Sequence, residues 1–253
     1  MTEQDAERTT ELPGTPEGRR SVQLLWDPAA TPASRGPRPK TSLAEVVTAG
    51  IALADAEGLA ALSMRKVATR LGVGAMSLYT YVPGRSELIE LMIDRVYADH
   101  ALPETTLAWR ERLDQWCRES WRIYLEHPWL LDHNSARLPI GPHVLDVEES
   151  LYATLRTGGF SAFDTVALAN LIRWQLLGAA RSSVGDLAEQ RHTGVSTEAY
   201  WDSRASFWTT YFDPERFPTM LSIHLAGAFD DPKAWDFDLM LARLLDGIER
   251  LAG

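Results

Sequence analysis

From Thr41 onward the apolar positions recur with helical spacing. Leu43, Val46, Val47, Gly50, Ile51 and Ala54 fall on one face of a helix that Gly58 should stop. Ser63 has the profile of an N-cap, and Met64, Val67, Ala68 and Leu71 form a shorter stripe ended by Gly72. A third short helix is expected from about 75 to 81, closed by Pro83 and Gly84. Ser86 is expected to cap a fourth, with Leu88, Ile89, Met92, Ile93 and Val96 facing inward and Glu87 suited to its positive end. Beyond Pro103 the pattern predicts helices near 106–126, 128–135, 143–157, 163–183, 197–211 and 235–251. Alternating β-branched runs and Asn-Gly turns are missing, so the predicted fold class is all-α. Residues 1–38 are rich in Pro and small polar residues and read as a disordered arm. Their one apolar patch, Val22, Leu24, Leu25 and Trp26, is too short for a core.

Composition narrows the class. Of 253 residues, 45% are hydrophobic and 24% charged, an ordinary globular balance. The single cysteine, Cys117, excludes an internal disulfide and a zinc site built on several thiolates. No apolar run is long enough to span a bilayer, and the polar start MTEQDAERTTELPG lacks a signal-peptide core. A cytoplasmic protein with no membrane partner is the expectation. The net charge of -10 argues at first against a nucleic-acid partner. Its distribution changes that picture. Residues 31–97 hold eight basic and six acidic groups, so a mildly basic segment precedes a strongly acidic body.

That basic segment carries the informative motif. Leu62 to Val82 reads as two short helices joined by a tight turn at Gly72, with Ala68 small where they cross and Val73 and Leu78 as apolar pins. Such a helix-turn-helix presents an outer face of Ala75, Met76, Ser77, Thr80 and Tyr81 to a DNA major groove. In front of it, Arg35, Arg38 and Lys40 form an extended basic cluster, either a floppy tail or an arm for the minor groove.

The segment from Leu62 to Arg95 resembles the DNA-binding domain of the TetR family of bacterial repressors. The resemblance rests on Leu78-Tyr79-Thr80-Tyr81-Val82, followed by a basic Arg85 and by Glu87-Leu88 opening a long linking helix. It implies that Ala75, Met76, Ser77 and Thr80 lie near bases, that Tyr79, Tyr81 and Arg85 anchor phosphates, and that Arg65 reaches a base or the backbone. A bidentate arginine reads guanine, methyl-bearing side chains meet thymine, and a tyrosine hydroxyl donates to phosphate. Tyr79 can also be read as a core residue with its hydroxyl at the rim, and Lys66, Arg70 and Arg95 as solvated charges. The sequence departs from the family's commoner pattern at Gly74-Ala75-Met76, where polar base readers often sit, which shifts the weight toward methyl contacts and DNA shape.

Eight of the nine tryptophans lie beyond residue 100. Trp116, Trp121, Tyr124, Trp129 and Trp208 suit either a lipophilic pocket or a packed core. The stretches Glu126 to Leu130, Gly141 to Leu145 and Gly158-Gly159-Phe160 resemble a tetracycline-repressor-type regulatory domain. That resemblance implies a ligand site with His133, Asn134, His143, Trp174 and Gln175 as candidate polar contacts, each equally readable as a structural group. The acidic body weakly favours a cationic ligand. In 163–183, Phe163, Val166, Ala167, Asn170, Leu171 and Trp174 form one face and Leu168, Ile172, Leu176 and Ala179 another. In 235–251, Phe237, Met240, Leu241, Leu244, Leu245, Ile248 and Leu251 form a broad face. Helices apolar on two sides late in a chain call for a second subunit, and the resemblance implies the same homodimer.

The expected organisation is therefore an arm (1–38), a three-helix helix-turn-helix domain (39–86) and a larger helical ligand-binding and dimerisation domain (87–253). No catalytic elbow, phosphate loop or His-Glu-x-x-His pair suggests an enzyme, and no His and carboxylate grouping suggests a metal or cofactor. The expected function is a dimeric repressor of a near-palindromic double-stranded DNA operator, released by a small lipophilic, antibiotic-like effector. The alternative is a ligand-independent DNA-binding regulator.

Overall fold

The computed structural model describes residues 16–27, 41–133 and 138–252, and among them every regular element is helical. The chain divides into two compact units. The first joins residues up to Leu102 with Arg122–Leu151, and the second joins Pro103–Trp121 with Tyr152–Gly253.

In the first unit, α1 (Pro16–Trp26), α2 (Leu43–Glu57), α3 (Met64–Leu71), α4 (Ala75–Leu78) and α5 (Arg85–Tyr97) follow one another. The start of α2 is fixed by a capping box. Ser42 Oγ accepts from the Glu45 N–H at 3.2 Å, and Glu45 Oε2 accepts from the Ser42 N–H at 2.7 Å. That Ser42 backbone bond is the largest of the causes that hold the Glu45 carboxyl below its ordinary value. The stripe read from the sequence faces the core, since Val46, Val47, Leu53 and Ala54 are buried. Gly50 lets α5 approach closely: a Cβ there would stand 2.8 Å from the Met92 sulfur. Ser63 caps α3 through the Lys66 N–H at 3.3 Å, and Gly72 ends it in the left-handed conformation at φ 68°.

Two expectations need correction here. The disordered reading of residues 1–38 does not hold at α1. Ser21, Leu24 and Leu25 lie at i, i+3 and i+4, and burying that short stripe against α5 supplies the stability that an isolated helix of this length lacks. Ser21 Oγ also donates to Glu90 on α5, and Trp26 Nε1 donates to the Ile140 carbonyl at 2.8 Å. Arg35, Arg38 and Lys40 lie outside the described residues, as does Asn134. The second correction concerns α5, which starts one residue before Ser86. Gly84 is its N-cap, with no side-chain bond, because the extended backbone after Pro83 already delivers the Gly84 carbonyl to the Leu88 N–H at 3.2 Å.

The segment Arg122–Leu151 is bolted to these helices by two carboxylates. Asp55 at the end of α2 accepts from Trp129 Nε1 at 2.7 Å and meets His127 Nδ1 at 2.8 Å. Asp94, buried on α5, accepts the backbone N–H groups of His143 and Val144 at 3.0 and 3.1 Å and meets His143 Nδ1 at 2.8 Å. It thereby caps α7 (Pro142–Thr157) from another element and sits at its positive end. Trp129 itself lies in a 3-10 turn over Pro128–Leu131 where a longer helix was expected.

The second unit contains the N-terminal part of α6 (Trp109–Glu126), the end of α7, the 32-residue α8 (Ala162–Thr193), α9 (Thr197–Asp202), α10 (Ser206–Thr210), α11 (Pro218–Leu225) and α12 (Phe237–Glu249). Helix α8 runs ten residues beyond its expected end, between the Ser161 cap and a left-handed Gly194. The expected helix 197–211 breaks into α9 and α10, and α11 carried no readable stripe. Along α6, Arg110 pairs with Asp246 and Glu249, and Arg118 with Asp114 and Asp238, which fastens α6 to α12. Those hydrogen bonds, led by Asp114, raise the Arg118 pKa, and burial pushes the Cys117 thiol up, as expected of an inert packed cysteine.

Gly141 packs so closely against Asp94 that a Cβ would stand 2.1 Å from its Oδ1. Gly141→Ala is expected to lower stability by about 1–3 kcal/mol, as overpacking at a rigid contact does, measured by urea unfolding.

Candidate nucleic-acid interface

The helix-turn-helix is built by α3, the Gly72 turn and α4. Val67 and Leu78 are fully buried and hold the two helices together, with the Val73 N–H bonded to the Ala68 carbonyl at 3.1 Å across the turn. Past Leu78 the chain stays helically wound: Tyr81 and Val82 N–H groups both reach the Leu78 carbonyl at 2.9 Å, and Thr80 Oγ1 donates to the Ser77 carbonyl at 2.6 Å. The outer face read from the sequence is thus a real face. Met76 is 79% exposed and Tyr79 43%, Ser77 and Thr80 are exposed, and Ala75 and Tyr81 are half-buried. Tyr79 is thus partly covered and partly open to solvent, with neither the phosphate reading nor the rim reading of its hydroxyl overturned.

The cations divide by what they already touch. Arg65 and Arg70 stand exposed on α3. Lys66 is paired with Glu57 at 2.8 Å, and Arg95 with Asp99 at 2.9 Å. Arg85 is exposed but has two donors engaged: its Nε donates to the Leu62 carbonyl at 3.0 Å and its Nη2 to the Leu59 carbonyl at 2.7 Å. It therefore clamps the turn before α3 to the start of α5, a bracing role that sequence reasoning missed. Those two carbonyls bracket a 3-10 turn (Leu59–Ala61), where the Leu59 carbonyl also accepts the Leu62 N–H at 3.1 Å, and a contact 23 to 26 residues away leaves no periodic signal in the sequence.

The candidate effector residues fall in both units. In the first, Tyr124 and Trp129 are buried, and His133 has an Nε2 with no hydrogen-bond partner among the described residues. His143 is engaged with Asp94. In the second, Trp116 is buried, and Trp121 stacks on Phe237 at 4.1 Å between ring centres. Phe237, Gln175, Leu176, Ala179, Met240, Leu241 and Leu244 line a shallow apolar crevice, so Trp121 and Gln175 share a neighbour. Trp174 is 71% exposed, and Trp208 belongs to a separate aromatic cluster, stacked on His224 at 4.0 Å and tilted against Phe212. Among the described residues no three His, Cys, Asp or Glu side chains are grouped to hold a metal ion, and no helix is long and apolar enough to cross a membrane.

Comparison with known proteins agrees with this geometry. Residues 46–92, spanning α2 to α5, match the family model of bacterial regulatory proteins of the tetR family, and residues 102–252 match the tetracycline repressor-like C-terminal domain. The HTH-type transcriptional repressor DrrR1 of Streptomyces coeruleorubidus is 38% identical over 248 residues, which cover 96% of this chain and 90% of that protein. The TetR family protein ActR of Streptomyces coelicolor, solved in complex with actinorhodin, is similar with a TM-score of 0.72 and 27% identity, covering 84% of this chain and 97% of ActR. BioQ, solved with its double-stranded DNA operator, is similar with a TM-score of 0.52 and 26% identity, covering 61% of this chain and 93% of BioQ. An exposed recognition face on a pinned helix-turn-helix, followed by a matching helical regulatory domain, leaves one assignment: the chain belongs to the TetR family of transcriptional repressors.

Proposed function

We propose that this repressor works as a homodimer on a near-palindromic operator and is released by a small lipophilic effector. The observation that carries the DNA half is the exposed Met76 and Tyr79 on a helix whose Leu78 is fully buried. Ala75, Met76, Ser77 and Thr80 face the bases, Tyr79 and Tyr81 donate to phosphates, and Arg65 reaches a base or the backbone. With Lys66 and Arg95 paired, base readout leans on apolar contact with thymine methyl groups. Arg85 offers a phosphate only the edge of its guanidinium left over from the Leu59 and Leu62 carbonyls. Arg35, Arg38 and Lys40 are proposed as the arm that enters the adjacent minor groove.

Two-fold pairing is supported by the two faces of α8. Leu168, Ile172 and Leu176 are buried, while Phe163 is 81%, Val166 52%, Leu171 46% and Trp174 71% exposed on the opposite side. On α12, Leu241, Leu245 and Ile248 are buried and Leu239 is exposed, as is Leu251 just past its end. A second copy covering the exposed faces gives an isologous helical interface. Two copies then place their recognition helices in successive major grooves, about 34–36 Å apart. The effector reading rests on the regulatory-domain match and on ActR having been solved with actinorhodin. Trp116, Trp121, Tyr124, Trp129, His133, Trp174, Gln175 and Trp208 remain the residues proposed to meet the effector, Trp121 and Gln175 with the most direct support from the crevice beside Phe237. A ligand that binds only the released state shifts the equilibrium by its differential affinity.

Three outcomes are expected. Tyr79→Ala weakens binding to the protein's own upstream DNA by about a hundredfold or more while the dimer and its helicity persist, because it removes a positioning contact from a side chain outside the core. Fluorescence anisotropy with circular dichroism measures both; a folded variant of unchanged affinity refutes the DNA role. Trp174→Asp weakens self-association by about thirtyfold or more, the scale of a buried aromatic anchor, as followed by analytical ultracentrifugation. Replacing Arg35, Arg38 and Lys40 together by alanine lowers the slope of log affinity against log salt by up to about 3, and an identical slope means the arm is idle.

A further inference from the structure

Helix α1 precedes both family-matched segments, so its purpose is not inherited from them. It is anchored at two places. Along one side Ser21, Leu24 and Leu25 are buried against α5, and Ser21 Oγ donates to Glu90. At its last residue, Trp26 Nε1 donates to the Ile140 carbonyl at 2.8 Å. Ile140 leads into α7 and adjoins Gly141, whose backbone lies against Asp94. Glu90 and Asp94 stand at i and i+4, which puts them one turn apart on the same side of α5. Three elements therefore meet in a closed ring. Helix α1 holds α5 at Glu90, α5 holds the start of α7 at Asp94, and the lead-in to α7 holds α1 at Trp26.

Such a ring does what a single contact cannot. Asp94 grips only the first turn of α7, and α5 and α7 otherwise approach each other little. One grip fixes a distance and a register but leaves the angle between two helices soft. A second tie, set off from the first, removes that freedom. Trp26 supplies it with little burial of its own, since it stays 54% exposed while its indole N–H makes the bond. The angle matters because α5 follows α4 directly, and any spread in its orientation must be given up when α4 is seated in a groove. We propose that Trp26 is a positioning residue for operator binding: through Ile140 it makes α1 a brace that sets the angle between α5 and α7, without itself touching DNA. This inference rests on the DNA-binding reading above and deepens it.

The test compares the full-length wild type with Trp26→Phe, with Leu24→Ala plus Leu25→Ala, and with all three substitutions together. Affinity for the protein's own upstream DNA is measured by fluorescence anisotropy over a range of salt concentrations, and circular dichroism and sedimentation check helicity and dimer. Trp26→Phe keeps a ring and drops the N–H. It is expected to bind about three- to tenfold more weakly, from one lost hydrogen bond in each of two subunits. Its slope of log affinity against log salt stays that of the wild type, because no phosphate contact is lost. The two alanines undock α1 from α5 and weaken binding at least as much. Adding Trp26→Phe to them then changes affinity by less than about twofold, because a brace free at one end transmits nothing. Unchanged or tighter binding by a folded Trp26→Phe overturns the proposal. So does a lowered salt slope, which makes α1 a DNA contact, and so do additive losses in the triple variant, which make the two anchors independent. If the alanine variant does not fold, the affinity and salt slope of Trp26→Phe decide alone. A wild type that binds no fragment of its upstream DNA sinks the DNA-binding reading and this inference with it, whereas wild-type binding matched by Trp26→Phe sinks only this inference.

Discussion

What α4 can do at a DNA groove depends on α5 being held still; its buried apolar face packs it, and the buried carboxylate of Asp94 fixes its register. Two backbone N–H groups and an imidazole of the first turn of α7 converge on that side chain. A buried carboxylate is tolerable only when such donors surround it, and a helix start is tolerable only when its free N–H groups find an acceptor. Each solves the other's problem, so the contact is specific in both distance and register. Gly141 belongs to the same contact, since any side chain there would occupy the space of the carboxylate. Asp55 repeats the device at the end of α2 with Trp129 and His127, and Arg85 ties the start of α5 to the carbonyls before α3. The recognition helix is a single turn of regular helix, too short to be stable alone. Its orientation is inherited from these polar bolts and from the Val67 and Leu78 pins.

The same economy shapes the DNA-facing surface. Of the cations around the helix-turn-helix, Lys66 and Arg95 are taken by carboxylates and Arg85, though exposed, spends two donors on backbone carbonyls, while Arg65 and Arg70 stand exposed on α3. A face of alanine, methionine, serine and threonine has few charged readers, and its discrimination is expected to come from methyl complementarity and from how readily a sequence adopts the fitted shape. That composition is unlike a face built on bidentate arginine and makes steric fit, hence the rigidity of α5, more consequential.

The apolar stripes of α2, α3 and α5 were legible because a single helix face was being buried, and the caps Ser63, Gly58 and Gly72 were legible because their chemistry is local. The helix of residues 16–26 was not, because its stripe of Ser21, Leu24 and Leu25 becomes stabilising only once α5 is there to receive it. The same holds for Asp55 and Asp94, whose partners lie 72 to 74 and 49 to 50 residues away and leave no periodic trace. Around α9 to α11 nearly every residue is exposed, so no inward face existed to impose a readable period. The second apolar face of α8 was readable for the opposite reason: Phe163, Val166, Leu171 and Trp174 repeat at helical spacing although nothing in the single chain covers them.

Net charge is a poor guide to what the regulatory domain takes up. The value of -10 and the acidic composition of the body favour a cationic effector. Most of those carboxylates are exposed, however, and charges facing water are screened within about 8–10 Å at ordinary salt. Asp246, Glu249, Asp114 and Asp238 are also already paired with Arg110 and Arg118.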